Sequence, residues 1–323
     1  MTFTKSNNHE FSQSQDYSPG LNRYLVLGSY PSVFLDADGQ IIMQELHSPS
    51  CQVQHTVFQM SKKSDIRIRG KAPILQICIA LQQYHQLEIE GLGAIHIREG
   101  QFNLIYTPGN EMHIKLEADK EYISLILNYN LFALQEMAPY FRGLAVFLDK
   151  VRSGQPAILQ LAHPWVTKEI QDTIYRVLHC SVDIPSYPVF FDLLIKTLLF
   201  HLLLQSNQKQ PASNYFHYEV DGIYAARDMI RKNIRYHFII REIAQKVGMN
   251  ESKLKNGFRE LFGNGVYEYL QTERMIEAQH LLFEPGRSIK EIAALTGYKS
   301  VNSFIKAFKK KYRLTPGEFR RRA

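Results

Sequence analysis

A stretch near the C-terminus occurs twice: Ile240-Arg-Glu-Ile-Ala-Gln-Lys-Val-Gly248 returns as Ile289-Lys-Glu-Ile-Ala-Ala-Leu-Thr-Gly297. The offset is 49 residues and slips to 50 beyond the glycine, pairing Leu254 with Phe304, Phe258 with Phe308, Phe262 with Tyr312 and Tyr269 with Phe319. Such a repeat constrains the fold strongly, because each copy must build the same supersecondary unit. Each copy reads as a short helix with inward Ile and Ala, then a glycine that can take a left-handed backbone, then a second helix with apolar residues every fourth position. That is the pattern of a helix-turn-helix. Ser288 and Glu291 have the spacing of a capping box, and Lys299-Ser300 opens the next helix. Ile239 stands where Ser288 would, so the first copy lacks that cap. Between the copies, Val266 to Phe283 reads as one helix burying Tyr269, Met275, Ala278, Leu281 and Leu282. A rigid connector suits two helices entering successive major grooves, about 34 Å apart.

Charge follows the same division. The chain of 323 residues carries a net +7, yet residues 221–323 hold 21 Lys/Arg against 11 Asp/Glu, a surplus of +10, which leaves −3 for the rest. A polyanionic partner for the C-terminal third follows. The positions between the apolar stripes would face DNA: Ser252, Lys255 and Asn256 in the first copy, and Val301, Asn302 and Lys306 in the second. Asn pairs bidentately with adenine, Lys donates to guanine, and Val methyls meet a thymine methyl. Lys309, Lys310, Lys311 and Arg313 would lie along phosphates and give salt-dependent affinity.

About a third of the chain, roughly Asp221 to Arg322, resembles the AraC/XylS family of bacterial transcription regulators. The resemblance rests on Tyr269, Arg274, Ala278 and Leu281-Leu282 in the connector, on Ser288-Ile-x-Glu-Ile-Ala293, Gly297-Tyr298, Phe304 and Phe308-Lys309, and on Tyr312-Arg-Leu-Thr-Pro-Gly317. Val266 stands where the family commonly has Pro, a departure at a helix start. The segment Met249 to Phe262 resembles most the branch that responds to siderophores. The resemblance implies double-stranded promoter DNA and RNA polymerase as partners, activation rather than repression, and a small-molecule effector, with a siderophore as candidate.

The rest of the chain differs in kind. Residues 1–20 are rich in Ser, Asn and Gln and read as a disordered arm. Residues 21–130 show short alternating runs such as Met112 to Leu116 and Tyr122 to Leu127, separated by turns at Glu90 to Gly93 and Pro108 to Asn110, the pattern of an antiparallel sandwich or small barrel. By the resemblance this is a cupin-like sensing domain. A pocket lined by His55, Phe58, Arg98, Tyr106 and His113 is expected from their places on alternating strands. Residues 131–205 form a helical dimerisation segment, with helices at Val166 to Cys180 and Val189 to Gln205; the second is apolar almost all round and calls for cover on more than one side. Residues 206–220 read as a linker and 221–323 as the DNA-binding domain. The fold class is therefore α+β: a β-barrel with helices, then an all-α domain with a double helix-turn-helix.

Several functions are disfavoured. Cys51, Cys78 and Cys180 are odd in number and scattered, which suits free thiols in a reducing compartment rather than a disulfide framework or a zinc-thiolate cluster. His47, His55, His96 and His113 include no His-x-His, so no metal and no cofactor is expected. No GxSxG, GxxxxGK[ST] or HExxH occurs, which argues against an enzyme and leaves no catalytic residue to name. Val189 to Leu204 is interrupted by Asp192, Lys196 and His201, so a cytoplasmic protein without a membrane span is expected. A cupin-type metal enzyme and a non-specific architectural DNA binder are the competing readings.

Overall fold

The chain is seen in a computed structural model that describes residues 2–6, 9–14, 24–26, 28–70, 72–180, 186–207, 214–283 and 286–322. Strands dominate the first half: β1 (Thr2–Lys5), β2 (Ser12–Ser14), β3 (Pro31–Asp36), β4 (Gly39–His47), β5 (Cys51–Met60), β6 (Ser64–Arg69), β7 (Ile74–Gln82), β8 (His85–Ile89), β9 (Gly93–Ile97), β10 (Phe102–Thr107), β11 (Glu111–Leu116), β12 (Lys120–Tyr129) and β13 (Ala157–Ile158). They form two antiparallel sheets, one of five strands ordered β1-β6-β11-β8-β9 and one of eight ordered β13-β10-β7-β12-β5-β4-β3-β2.

The five-stranded sheet shows plain alternation. Met112, Ile114 and Leu116 of β11 point into the core between the sheets, while Glu111, His113 and Lys115 face out and pair with Arg67, Arg69, Asp65 and Glu88. The eight-stranded sheet is buried on both faces, which is why β7 reads as an almost unbroken apolar run. Cys78 and Ala80 face the inter-sheet core, and Ile77 and Ile79 face a second core shared with helices. Those helices are α1 (Leu131–Met137), α2 (Arg142–Arg152), α3 (Lys168–Leu178) and α4 (Tyr187–Asn207). By length and composition α4 could cross a membrane. Instead Phe191, Leu194, Ile195, Leu198, Leu199, Leu202 and Leu203 pack into the second core, while Val189, Leu193, Phe200 and Leu204 remain exposed.

The N-terminal arm is not loose over its described residues. Phe3 (2% exposed) plugs the inter-sheet core, and Lys5 Nζ lies 2.5 Å from Asp36 and 2.6 Å from Asp38. A polar composition masked two well-placed aromatics, Phe3 and Phe11, and one ion-pair anchor; residues 15–20 lie outside the described residues. Residues 206–207 belong to α4 and residues 214–220 to α5 (Asn214–Lys232), so any linker is confined to 208–213, outside the described residues.

His55 and His85 are buried in this half, and burial pushes both rings down to about 4. In the unfolded chain they titrate near 6.5, so the unfolded state binds more protons below that value. Their contribution is fully present above pH ~6.5 and is lost as pH falls toward ~4. Trp165 is the single tryptophan and is buried in this half, so its fluorescence should report a lower unfolding midpoint at acid pH. The slope should flatten in His85→Phe.

The chain divides into Met1–Gln210 and Pro211–Ala323. The second unit is helical: α5, then α6 (Ile240–Lys246), α7 (Glu251–Phe262), α8 (Val266–Phe283), α9 (Ile289–Leu295), α10 (Val301–Tyr312) and α11 (Pro316–Arg322). Ile292, Ala293, Phe304 and Phe308 form one core with Met275, Ala278, Leu281 and Leu282 of α8.

Candidate nucleic-acid interface and the inter-sheet cavity

The pairs α6–α7 and α9–α10 are built alike. Gly248 (φ +70°) and Gly297 (φ +81°) follow the first helix of each pair, where an L side chain would be strained. At Gly297 space also forbids a side chain, since an added Cβ would sit 2.9 Å from the Arg235 Cα. Asn250 Oδ1 accepts from Lys253 N–H (2.8 Å) at the start of α7, and Ser300 Oγ accepts from Ser303 N–H (3.1 Å) at the start of α10. The Ser288–Glu291 capping box of α9 is formed in both directions, whereas Ile239 leaves α6 without a side-chain cap. The C-caps differ as well: Gly263 closes α7 at φ +69°, but Arg313 closes α10 at φ +61°. Left-handed backbone strains an L residue, so Arg313→Gly should raise stability by about 1 kcal/mol in a denaturant titration. The same change should weaken DNA binding at low salt through the lost cation.

The outward faces correspond position by position. Leu254 and Phe258 of α7 and Phe304 and Phe308 of α10 are buried. Ser252, Lys253, Asn256 and Arg259 are exposed on α7; Asn302, Ser303, Lys306 and Lys309 are exposed at the matching positions of α10. Two expected residues fall elsewhere. Lys255 is half-buried with its Nζ 3.1 Å from Glu251 one turn earlier, and Val301 is half-buried against the α8–α10 core. Both border the apolar stripe, where packing holds Val301 and the ion pair holds Lys255. Lys253 and Ser303 were missed in the sequence reading, although the offset of 50 aligns them. Lys310 and Lys311 are exposed beside Lys309, the Lys311 Nζ lying 5.9 Å from the Tyr312 ring.

α8 fixes the two pairs to each other. Arg274, 4% exposed, donates from Nε to the Ile234 carbonyl (2.7 Å) and from Nη2 to the Tyr236 carbonyl (3.2 Å), ahead of α6. Its guanidinium also lies 5.7 Å from the Tyr298 ring, just past Gly297. Arg235 Nε donates to the Leu295 carbonyl (2.9 Å) at the end of α9. One buried guanidinium thus touches the entry to the first pair and the turn of the second.

The first unit holds a cavity of about 350 Å³ between its sheets. Of the residues expected to form a pocket, it brings in only Phe58. His55 is on the opposite face of β5 beside Gln44, and Tyr106 packs into the helix-side core. Arg98 is exposed beyond β9, and His113 lies on the outer face between Asp65 (3.2 Å) and Glu111 (3.3 Å). Strand periodicity separates two faces without saying which one lines a cavity. The polar residues in the cavity lining are Gln52, Gln54, Thr56, Gln76, His85, Asn110, Ser124, Asn128 and Tyr129, of which Gln54, Thr56, Gln76, His85, Ser124 and Tyr129 are buried. The polar residues Gln52, Gln54 and Thr56, on alternate positions of a buried strand, were the available signal. Among the described residues no group of three His, Cys, Asp or Glu could hold a metal ion, and the three cysteines are free and buried.

A family model described as a helix-turn-helix domain matches residues 243–322, from α6 to α11. The lactose operon transcription activator of Staphylococcus xylosus is 31% identical over 158 residues, 48% of this chain and 56% of that protein. The xylose operon regulatory protein of Escherichia coli (strain K12) is 31% identical over 99 residues, 31% of this chain and 25% of its own length. The helix-turn-helix domain of this chain is similar to that of AraC/XylS-family regulators. The chain spans about half or less of the length of these curated relatives. Most of the residues that carried the resemblance have internal roles: Ala278, Leu281, Leu282, Phe304 and Phe308 make the core, and Arg274 makes the α8 clamp. A solved structure of ToxT from Vibrio cholerae overlaps 83% of this chain and 97% of its own at 14% identity and a TM-score of 0.30.

Proposed function

We propose that the chain is a sequence-specific regulator of transcription that reads double-stranded promoter DNA with two helix-turn-helix units, α7 and α10 being the recognition helices. The observation that carries this reading is the pair of matched exposed rows, Ser252/Lys253/Asn256/Arg259 and Asn302/Ser303/Lys306/Lys309, on helices braced by one connector. Amide and ammonium groups in such rows suit base edges, and Lys309, Lys310, Lys311 and Arg313 suit phosphates. The first unit is a cupin-like barrel whose inter-sheet cavity holds a small-molecule effector, and binding there shifts the DNA-bound population. Activation through RNA polymerase follows the family resemblance, as does a siderophore as candidate effector. The exposed row Val189, Leu193, Phe200 and Leu204 on α4 supports a homodimer through this helix. Action on promoter DNA places the protein in the bacterial cytoplasm.

The test is selection of duplexes from a random pool by the full chain, followed by anisotropy titrations at several salt concentrations. A regulator enriches an asymmetric site spanning two grooves and binds it at least ~10³-fold tighter than random duplex. Equal affinity for all duplexes would instead mark an architectural DNA binder.

A further inference from the structure

The cavity between the sheets has an unusual lining: among the described residues it contains no Asp, Glu, Lys or Arg. Phe3, Phe58, Leu87 and Ile126 supply apolar walls. Two buried polar atoms in this lining make no hydrogen bond, Thr56 Oγ1 on β5 and His85 Nε2 on β8. The residues are 2% and 1% exposed and belong to different sheets, so they approach the cavity from opposite walls. Buried polar atoms without partners are rare in native proteins and call for an explanation.

The chemistry at His85 is specific. Its Nδ1 lies 3.2 Å from the Gln83 carbonyl oxygen, which can only accept, so the proton of the neutral ring sits on Nδ1. Burial keeps the ring neutral, and the Tyr122 ring stands edge-on 5.9 Å away. Nε2 is therefore a bare acceptor. The Thr56 hydroxyl, opposite Ser124 across the β5–β12 pair, can donate or accept.

We propose that this cavity binds an uncharged, mostly apolar small molecule carrying a hydroxyl or N–H group, which donates to His85 Nε2 while a second polar contact is made at Thr56 Oγ1. The assignment deepens the effector reading above and rests on it. A volume of about 350 Å³ lies at the small end of ligand sites, which run from about 300 to 1,000 Å³. A carboxylate has no proton to give His85 and meets no cation in the described lining. A charged metal chelate fails for the same reason, so a siderophore fits only in an uncharged, metal-free form.

Three naphthalene probes separate these chemistries by calorimetric titration of the full chain near pH ~7.5. 2-Naphthol supplies an O–H donor, 2-methoxynaphthalene lacks the proton, and 2-naphthoate carries a charge. The expected order is measurable binding of 2-naphthol, binding of 2-methoxynaphthalene about fivefold weaker for want of one hydrogen bond, and none of 2-naphthoate. His85→Phe should bring the two neutral probes within about twofold of each other. Thr56→Val, which removes a hydroxyl that has no partner to lose, should fold normally and weaken 2-naphthol about threefold. Three results overturn the assignment: 2-naphthoate binding as tightly as 2-naphthol, a preference for 2-naphthol that survives in His85→Phe, or no binding of either neutral probe up to its solubility. DNA affinity measured in the same samples addresses the underlying reading separately. Bound 2-naphthol that leaves DNA affinity unchanged contradicts effector control and leaves the cavity assignment standing.

Discussion

Phe304→Ala is expected to cost the C-terminal unit about 4 kcal/mol, the range for removing a fully buried ring. Phe304 is 0% exposed, and its ring lies 5.6 Å from Tyr298 and 5.9 Å from Phe308. It packs in the one core that holds α8, α9 and α10 together, so the void cannot be filled by a small shift of a single side chain. The chain supplies its own control, because the single tryptophan, Trp165, belongs to the first unit. Denaturant unfolding followed by helical circular dichroism should show the loss, while the Trp165 fluorescence transition keeps its midpoint. A shift of both transitions by the same amount would mean that the two units unfold as one.

Arg274→Met should cost about 3 kcal/mol, although Met retains most of the apolar stem. The substitution removes the donors to the Ile234 and Tyr236 carbonyls and the stacking on Tyr298. The bonds to both carbonyls are part-buried, and each acceptor left without a partner is worth up to roughly 1–3 kcal/mol. A second effect separates this change from Phe304→Ala. Because Arg274 touches both the entry to α6 and the turn before α10, its loss should loosen the spacing of the recognition helices. Affinity for a site that spans two grooves should then fall at least ~10-fold, while non-specific binding, which the proposal assigns to Lys309, Lys310 and Lys311, should change little. Equal losses for specific and random duplex would show that Arg274 serves stability alone.

The sequence revealed the C-terminal unit in detail because its signals are local. The connector runs over Val266–Phe283 as its periodicity indicated, and Ser288 with Glu291 makes the box that its spacing implied. The repeat offset is 49 up to Gly248 and Gly297 and 50 from the helix caps Asn250 and Ser300 onward, and the slip aligns the exposed rows. The triplets read from single helices were less secure, since Lys255 and Val301 lie at the edge of the buried stripe and only packing decides such borders. The first unit was legible as alternating strands, but its cavity was not. With helices on one face of the larger sheet and the smaller sheet on the other, His55 and Thr56 are neighbours in sequence yet serve different layers. Helix α1 is too short, at seven residues, to show a helical period, whereas α2 carries an apolar stripe at Leu144, Phe147 and Leu148 that marks it as amphipathic.

The central claim, that two dissimilar helix faces read DNA sequence, is tested most directly by exchanging them. A variant carrying Asn302, Ser303 and Lys306 side chains at positions 252, 253 and 256, and the Ser, Lys and Asn of those positions at 302, 303 and 306, alters only exposed residues and should keep the fold. Duplex selection with this full-length variant is expected to yield the wild-type site with its two half-sites interchanged. Recovery of the unchanged wild-type site would contradict the assignment of these faces to base recognition.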